Sequence, residues 1–131
     1  MKTSDYSEKS CLCALNRIFG FAPKTGIALI ERMGSARAVF GLDGKSLHEY
    51  LGPYSKYQDL IREEEVRRSE EELERIARDG CRFVGIGEKG YPSLLRECED
   101  PPIGLYYKSV STPEELFNSR PCIAIVGTRD F

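Results

Sequence analysis

The sequence has 131 residues, 40% hydrophobic and 31% charged, as is usual for globular proteins. Its 19 basic and 21 acidic residues give a formal net charge of −2, which argues against a protein that coats nucleic acid through general positive charge. No apolar run is long enough to span a bilayer and the polar N-terminus has no signal core, so we expect a cytoplasmic protein with no membrane partner.

The first half of the chain predicts helices. Apolar residues recur at helical spacing over 6–19, and further short helices are predicted over 25–33, 36–40 and 46–51. Turns that contain glycine separate these helices, and Ser35 is a good cap for the third of them. A long, highly charged helix is predicted over 54–78, with mixed-sign charges that indicate a solvated face.

The pattern changes after Gly80. Strands are predicted over 81–86 and 103–108, with a short helix over 91–97 between them. Thr112-Pro113 begins another predicted helix, and 122–126 is a third predicted strand. This order indicates an α region followed by α/β, which we divide into a helical domain over 1–79 and the start of a second domain over 80–131.

Five cysteines are present, and their spacing fits no zinc site. We expect reduced thiols, several of them buried, and no bound metal. The positions are Cys11, Cys13, Cys81, Cys98 and Cys122.

The turn between the first two helices reads Gly20-Phe21-Ala22 and is followed closely by Lys24. It resembles a helix-hairpin-helix, in which a Gly-x-Gly turn offers backbone N–H groups to a DNA phosphate, but Ala22 replaces the second glycine. Two interpretations stay open. The hairpin serves packing alone, or Gly20 and Lys24 contact DNA.

The third predicted strand ends in Gly127-Thr128-Arg129. A glycine after a buried strand lets backbone N–H groups face an anion, threonine adds a hydroxyl donor, and arginine suits phosphate. Two earlier proline-containing segments, Tyr91-Pro92 and Asp100-Pro101-Pro102, are interpreted as architectural corners without chemistry of their own.

Taken together, these features resemble the DprA/Smf family of DNA-processing proteins. The resemblance rests on a Tyr-Pro-x-x-Leu segment at 91–95, an Asp-Pro-Pro-x-x-Leu-Tyr-x-Lys segment at 100–108, and a strand that ends in Val-Gly-Thr-Arg at 126–129. Ser109 stands where family members usually have a glycine. The likeness over residues 10–50 is looser.

The resemblance implies a helix-hairpin-helix or SAM-like helical domain followed by a Rossmann-like parallel sheet. It also implies a protein that binds single-stranded DNA, protects incoming DNA and loads the RecA recombinase in natural transformation, with no catalysis and no cofactor. Gly127, Thr128 and Arg129 would line the phosphate pocket. A homodimer is implied only for the complete Rossmann-like domain.

Most of that domain would lie beyond Phe131, so we expect a truncated form with weak or no activity. Two other classes of function remain open. The helical domain alone would be a protein-interaction or duplex-DNA module, and an intact Rossmann-like domain would also suit a nucleotide-processing enzyme.

Overall fold

The computed structural model describes residues 6–52 and 56–108. Within these residues four α-helices come first, and a 3-10 turn at Gln58–Leu60 precedes a longer fifth helix. Two strands with a very short helix between them follow. The elements are α1 (Glu8–Ile18), α2 (Pro23–Met33), α3 (Ala36–Phe40), α4 (Gly44–Leu51), α5 (Glu63–Arg78), β1 (Cys81–Gly85), α6 (Ser93–Arg96) and β2 (Gly104–Lys108).

Local capping explains where the short helices begin. Ser7, Ser35 and Asp43 each accept a hydrogen bond from the backbone N–H three residues later, at the starts of α1, α3 and α4. Gly34 ends α2 with a φ of 93°, a left-handed conformation that favours glycine. The four predicted short helices are therefore confirmed to within two residues at each end.

The charged helix begins later than the sequence predicts, at Glu63 instead of residue 54. Ile61 is buried, and its backbone angles of φ −83° and ψ 88° are not helical, which interrupts a helix at this point. Tyr57 packs against Phe19 with ring centroids 4.7 Å apart. These core contacts hold 56–62 as turns, and three glutamates occupy the first turn of α5, where the helix dipole favours negative charge.

The two strands form an antiparallel pair, with Cys81 opposite Lys108 and Gly85 opposite Gly104. This corrects the expectation of a parallel arrangement for these two strands. A parallel connection needs a crossover, usually a helix long enough to cover the sheet, whereas α6 has only four residues. The third predicted strand, 122–126, lies outside the described residues.

One hydrophobic core contains residues from α1 to α5 and from the strand region. Phe83 of β1 and Ile103, just before β2, are both buried in it. Polar contacts add to this packing, because Lys9 Nζ donates to the carbonyl oxygen of Phe83 at 2.8 Å and Asn16 Oδ1 accepts from the N–H of Gly104 at 3.1 Å. Helix α1 thus contacts both strands, while the proposed domain boundary after residue 79 stays a prediction.

The interface between α1 and α5 is polar. Arg17 of α1 donates to the carbonyl oxygen of Glu65 at 3.2 Å and to the hydroxyl of Ser69 at 2.5 Å. Its guanidinium also lies 3.7 Å from a carboxylate oxygen of Glu72. Ser69 is fully buried and Glu65 nearly so. The Ser69 hydroxyl and the Glu65 carbonyl are bonded by Arg17, and the Glu65 carboxylate lies 3.5 Å from Arg68 and 3.9 Å from Arg17.

Candidate nucleic-acid interface

The turn between α1 and α2 places two of the five predicted site residues next to each other. Gly20 is exposed, and a Cβ atom added there would meet only the carbonyl oxygens of Asn16 and Arg17, at 3.5 and 3.7 Å. These are ordinary contact distances, and the φ of Gly20 is not positive. Neither the backbone nor the packing of the described residues therefore requires glycine at this position.

The backbone of the turn is partly committed to its own hydrogen bonds. The N–H of Ala22 donates to the carbonyl oxygen of Phe19 at 3.0 Å, and the N–H of Thr25 donates to the carbonyl oxygen of Ala22 at 3.1 Å. Helix α2 begins at Pro23, which has no N–H to offer. Ala22, Pro23 and Thr25 therefore offer no free N–H group to a phosphate.

Lys24 is the charged side chain nearest to the turn, and it is exposed. Its Nζ lies 3.3 Å from Oε1 of Glu99, and the two side chains retain 60% and 90% of their accessible surface. Ion pairs as exposed as this one contribute little to stability, so a phosphate group competes with Glu99 for the ammonium at small cost.

An exposed phenylalanine is the feature of this turn that sequence reasoning missed. Phe21 is completely exposed (105%), whereas Phe19, two residues earlier, is fully buried. The available sequence signal is its position between Gly20 and Pro23, which takes it out of the helical repeat that buries Phe19. Large apolar side chains this exposed often mark contact surfaces when they stand beside polar or charged groups.

A shallow groove runs along α2 towards α4. Lys24, Ala28 and Arg32 line one side of it, and Tyr50 lines the other. The guanidinium carbon of Arg32 lies 4.8 Å from the centre of the Tyr50 ring, a cation–π distance. Glu31 also lines the groove and is its acidic member.

Gly127, Thr128 and Arg129 lie outside the described residues. Their assignment to a phosphate pocket therefore stays a prediction, as does their relation to Gly20 and Lys24.

The two proline-containing segments are joined by a buried hydrogen bond. The hydroxyl of Tyr91 donates to the carbonyl oxygen of Pro102 at 2.6 Å, and the Tyr91 side chain is 1% exposed. Burial raises the pKa of Tyr91 to about 12, so the hydroxyl stays protonated and keeps donating at neutral pH. The architectural interpretation of these segments agrees with this geometry.

The two cysteines of α1 are buried. Desolvation raises the pKa of Cys11 to about 12, and it also raises the pKa of Cys13, whose sulfur lies 3.2 Å from the hydroxyl of Tyr106. Since the thiolate is the reactive form, these thiols are poor nucleophiles and serve as small core residues.

No helix within 6–52 or 56–108 combines the length and apolar character needed to cross a bilayer.

The chain thus combines a helical unit with an antiparallel strand pair and carries an exposed aromatic turn and a groove that contains two cations. A family model described as DNA recombination-mediator protein A matches residues 82–131. The match begins in β1 and contains both proline-containing segments and the Val-Gly-Thr-Arg sequence at 126–129. It confirms the resemblance to the DprA family over this part of the chain. No curated protein and no solved structure matches the chain significantly.

Proposed function

We propose that this chain acts in DNA processing as a protein that binds single-stranded DNA and passes it to the RecA recombinase. The observation that carries the proposal is the family match over residues 82–131, which includes Gly127, Thr128 and Arg129. The strand predicted over 122–126 would open a Rossmann-like parallel sheet. The protein would bind the strand without transforming it, and no cofactor is needed for that role.

The helical region supports the proposal through the side chains around its first turn. Lys24 is held by an exposed ion pair, and the guanidinium of Arg32 lies over the Tyr50 ring. Two such cations give a small number of phosphate contacts. Because each phosphate contact contributes through counterion release, we expect weak binding that strengthens strongly as salt is lowered.

A fluorescence-anisotropy titration with a labelled oligothymidylate tests the proposal. We expect binding at low salt, with a logarithmic salt slope that becomes shallower by about 0.7 in Lys24→Gln, the value for one phosphate on a single strand. Glu99→Gln is the matched counter-variant, since it removes the competing carboxylate and should strengthen binding. Equal affinities of all three proteins would remove Lys24 from the interface, and no binding at low salt would refute the proposed function.

The step with RecA needs its own assay. We expect the chain to shorten the delay before RecA filaments form on single strands already covered by a single-strand-binding protein. A chain that binds the oligonucleotide but leaves this delay unchanged would retain the DNA-binding half of the proposal and contradict the recombinase half.

A further inference from the structure

We propose that the exposed face of the α1–α2 turn and α2 is a base-stacking track for single-stranded DNA, with Phe21 as its main stacking platform. This inference rests on the proposed function, because it names the place on the described chain where the strand binds. It does not depend on Gly127, Thr128 and Arg129, and it adds Phe21, Arg32 and Tyr50 to the residues predicted from sequence.

The first support is the full exposure of Phe21. A phenylalanine ring left entirely in water gains the area-dependent free energy of burial only when a partner covers it. Its neighbours Gly20 and Ala22 are too small to shield either ring face. A nucleobase suits such a site because every base has a flat π-face, and stacking on an aromatic side chain tolerates any sequence.

The second support is the arrangement of charge along α2, the helix that follows the turn. Lys24 in the first turn of α2 and Arg32 in its last turn line the same groove, separated along the helix axis by about 12 Å at the usual rise per residue. A stacked strand advances about 3.4 Å per nucleotide, so the two cations span roughly three or four nucleotides. Ala28 lies between them and leaves room for a backbone to approach.

The third support is the far end of the groove. The Arg32 guanidinium lies over the Tyr50 ring, which fixes a planar cation beside a 39%-exposed aromatic surface. Arginine held in this way contacts phosphate or stacks on a base. The acidic groups of this face are Glu31 in the groove and Glu99 beside Lys24. Because these carboxylates stand beside the cations, we expect stacking to contribute more to affinity here than charge does.

The absence of tryptophan from the sequence allows a direct test. In Phe21→Trp the new indole is the only one in the chain, and a base stacked on it quenches its fluorescence. Leu94→Trp is the matched control, because Leu94 is also well exposed (76%) but lies on α6, outside the proposed track. Both variants are titrated with an oligothymidylate of roughly 16 nucleotides, the upper range for one binding module.

We expect quenching in Phe21→Trp, with the same half-saturation as anisotropy gives, and none in Leu94→Trp. Phe21→Ala should weaken binding of the same oligonucleotide about 5- to 10-fold, towards the lower end of measured stacking contributions. An abasic strand of equal length keeps the phosphates but removes the bases, so it should leave the indole unquenched.

The contrary outcomes separate the two proposals. If anisotropy shows binding while Phe21→Trp is unquenched and Phe21→Ala binds like wild type, the stacking track is refuted and the proposed function stands. Equal quenching by the abasic strand also refutes base stacking. If wild-type protein binds no oligonucleotide at low salt, both proposals fall together.

Discussion

Gly26 of α2 is the position where a single methyl group tests the packing most sharply. A Cβ atom at this position would lie 2.5 Å from Cδ1 of Ile103 and 2.9 Å from Cδ2 of Phe19. Carbon atoms attract best at about 3.5–4.0 Å, so both contacts are roughly 1 Å too short. The end of Ile103 has some freedom to rotate, but the Phe19 ring is held against Tyr57.

Two opposing effects decide the sign of Gly26→Ala. Replacing glycine by alanine inside a helix stabilises it by about 1 kcal/mol, whereas overpacking a core costs about 1–3 kcal/mol. With a rigid ring on one side, we place the clash near the upper end of that range. The free energy of unfolding should therefore fall by about 1–2 kcal/mol in urea denaturation followed by far-UV circular dichroism.

Gly44→Ala is the matched control. It lies in the first turn of α4, and an added Cβ would meet only the amide nitrogen of Gln58, at 3.9 Å. We expect this variant to be neutral or slightly stabilised. If Gly26→Ala were as stable as wild type, or gained stability like Gly44→Ala, α2 would not pack as closely on the strand region as the structure shows.

A double mutant identifies the neighbour that causes the clash. Ile103→Val removes Cδ1 and alone should cost about 0.5–1.5 kcal/mol. Because that atom is the closest contact of the new methyl group, Gly26→Ala and Ile103→Val together should cost at least about 0.5 kcal/mol less than the sum of the two. Strict additivity would show that Ile103 does not limit the approach of α2.

The Tyr91 hydroxyl supports two more predictions. Tyr91→Phe removes its hydrogen bond to Pro102, and the same urea assay should show a loss of about 1–2 kcal/mol at neutral pH. A loss below about 0.3 kcal/mol would mean that this bond does not join the two segments. At alkaline pH the direction of the change in stability follows from the pKa of Tyr91, which rises from 10.0 to about 12 on folding. The contribution of Tyr91 to the free energy of unfolding is complete below pH 10. It is lost as pH rises from 10 to 12, because the Tyr91 hydroxyl loses its proton at lower pH in the unfolded chain than in the folded protein. Unfolding free energies measured across that range should therefore fall less steeply in Tyr91→Phe than in wild type, and identical slopes would contradict the raised pKa.

Local signals in the sequence account for much of the helical region. Ser35 and Gly34 occupy cap positions whose chemistry depends on adjacent residues, and the helices they delimit begin and end as predicted. The predicted start of α5 was wrong because Ile61 and Tyr57 pack into a core formed by residues far away in the sequence. A local pattern contains no information about such contacts.

The polar contacts between α1 and α5 likewise depend on distant residues, which a local sequence pattern does not predict. The charge pattern of α5 indicates a solvated face, yet Glu65 and Ser69 are buried there. Arg17, about fifty residues earlier in the chain, donates to the Ser69 hydroxyl and the Glu65 carbonyl, and it shares the Glu65 carboxylate with Arg68 of α5. Pairing direction between β1 and β2 is likewise a property of the tertiary structure, which strand propensity alone does not determine.

Gly20 and Lys24 lie around one turn, and their role as site residues stays a prediction, whereas no sequence signal singled out Phe21. Phe19 and Phe21 are the same residue type, two positions apart, and one is fully buried while the other is fully exposed. The difference arises because Phe19 meets Tyr57 and the face of α2 at Gly26, while Phe21 has already left the helix.

Because Phe19 is buried and Phe21 is exposed, substitutions at the two positions test different properties of the protein. Removing the Phe19 ring would open a cavity in the core, at a cost of about 3–5 kcal/mol, so loss of DNA binding in that variant would only reflect unfolding. Removing the Phe21 ring takes away no core contact, and surface changes of this kind shift stability by about 0.5 kcal/mol or less. Any loss of affinity in Phe21→Ala therefore belongs to the interface. Because the fold buries Phe19 and leaves Phe21 exposed, substitutions of Phe21 test DNA binding without disturbing the core.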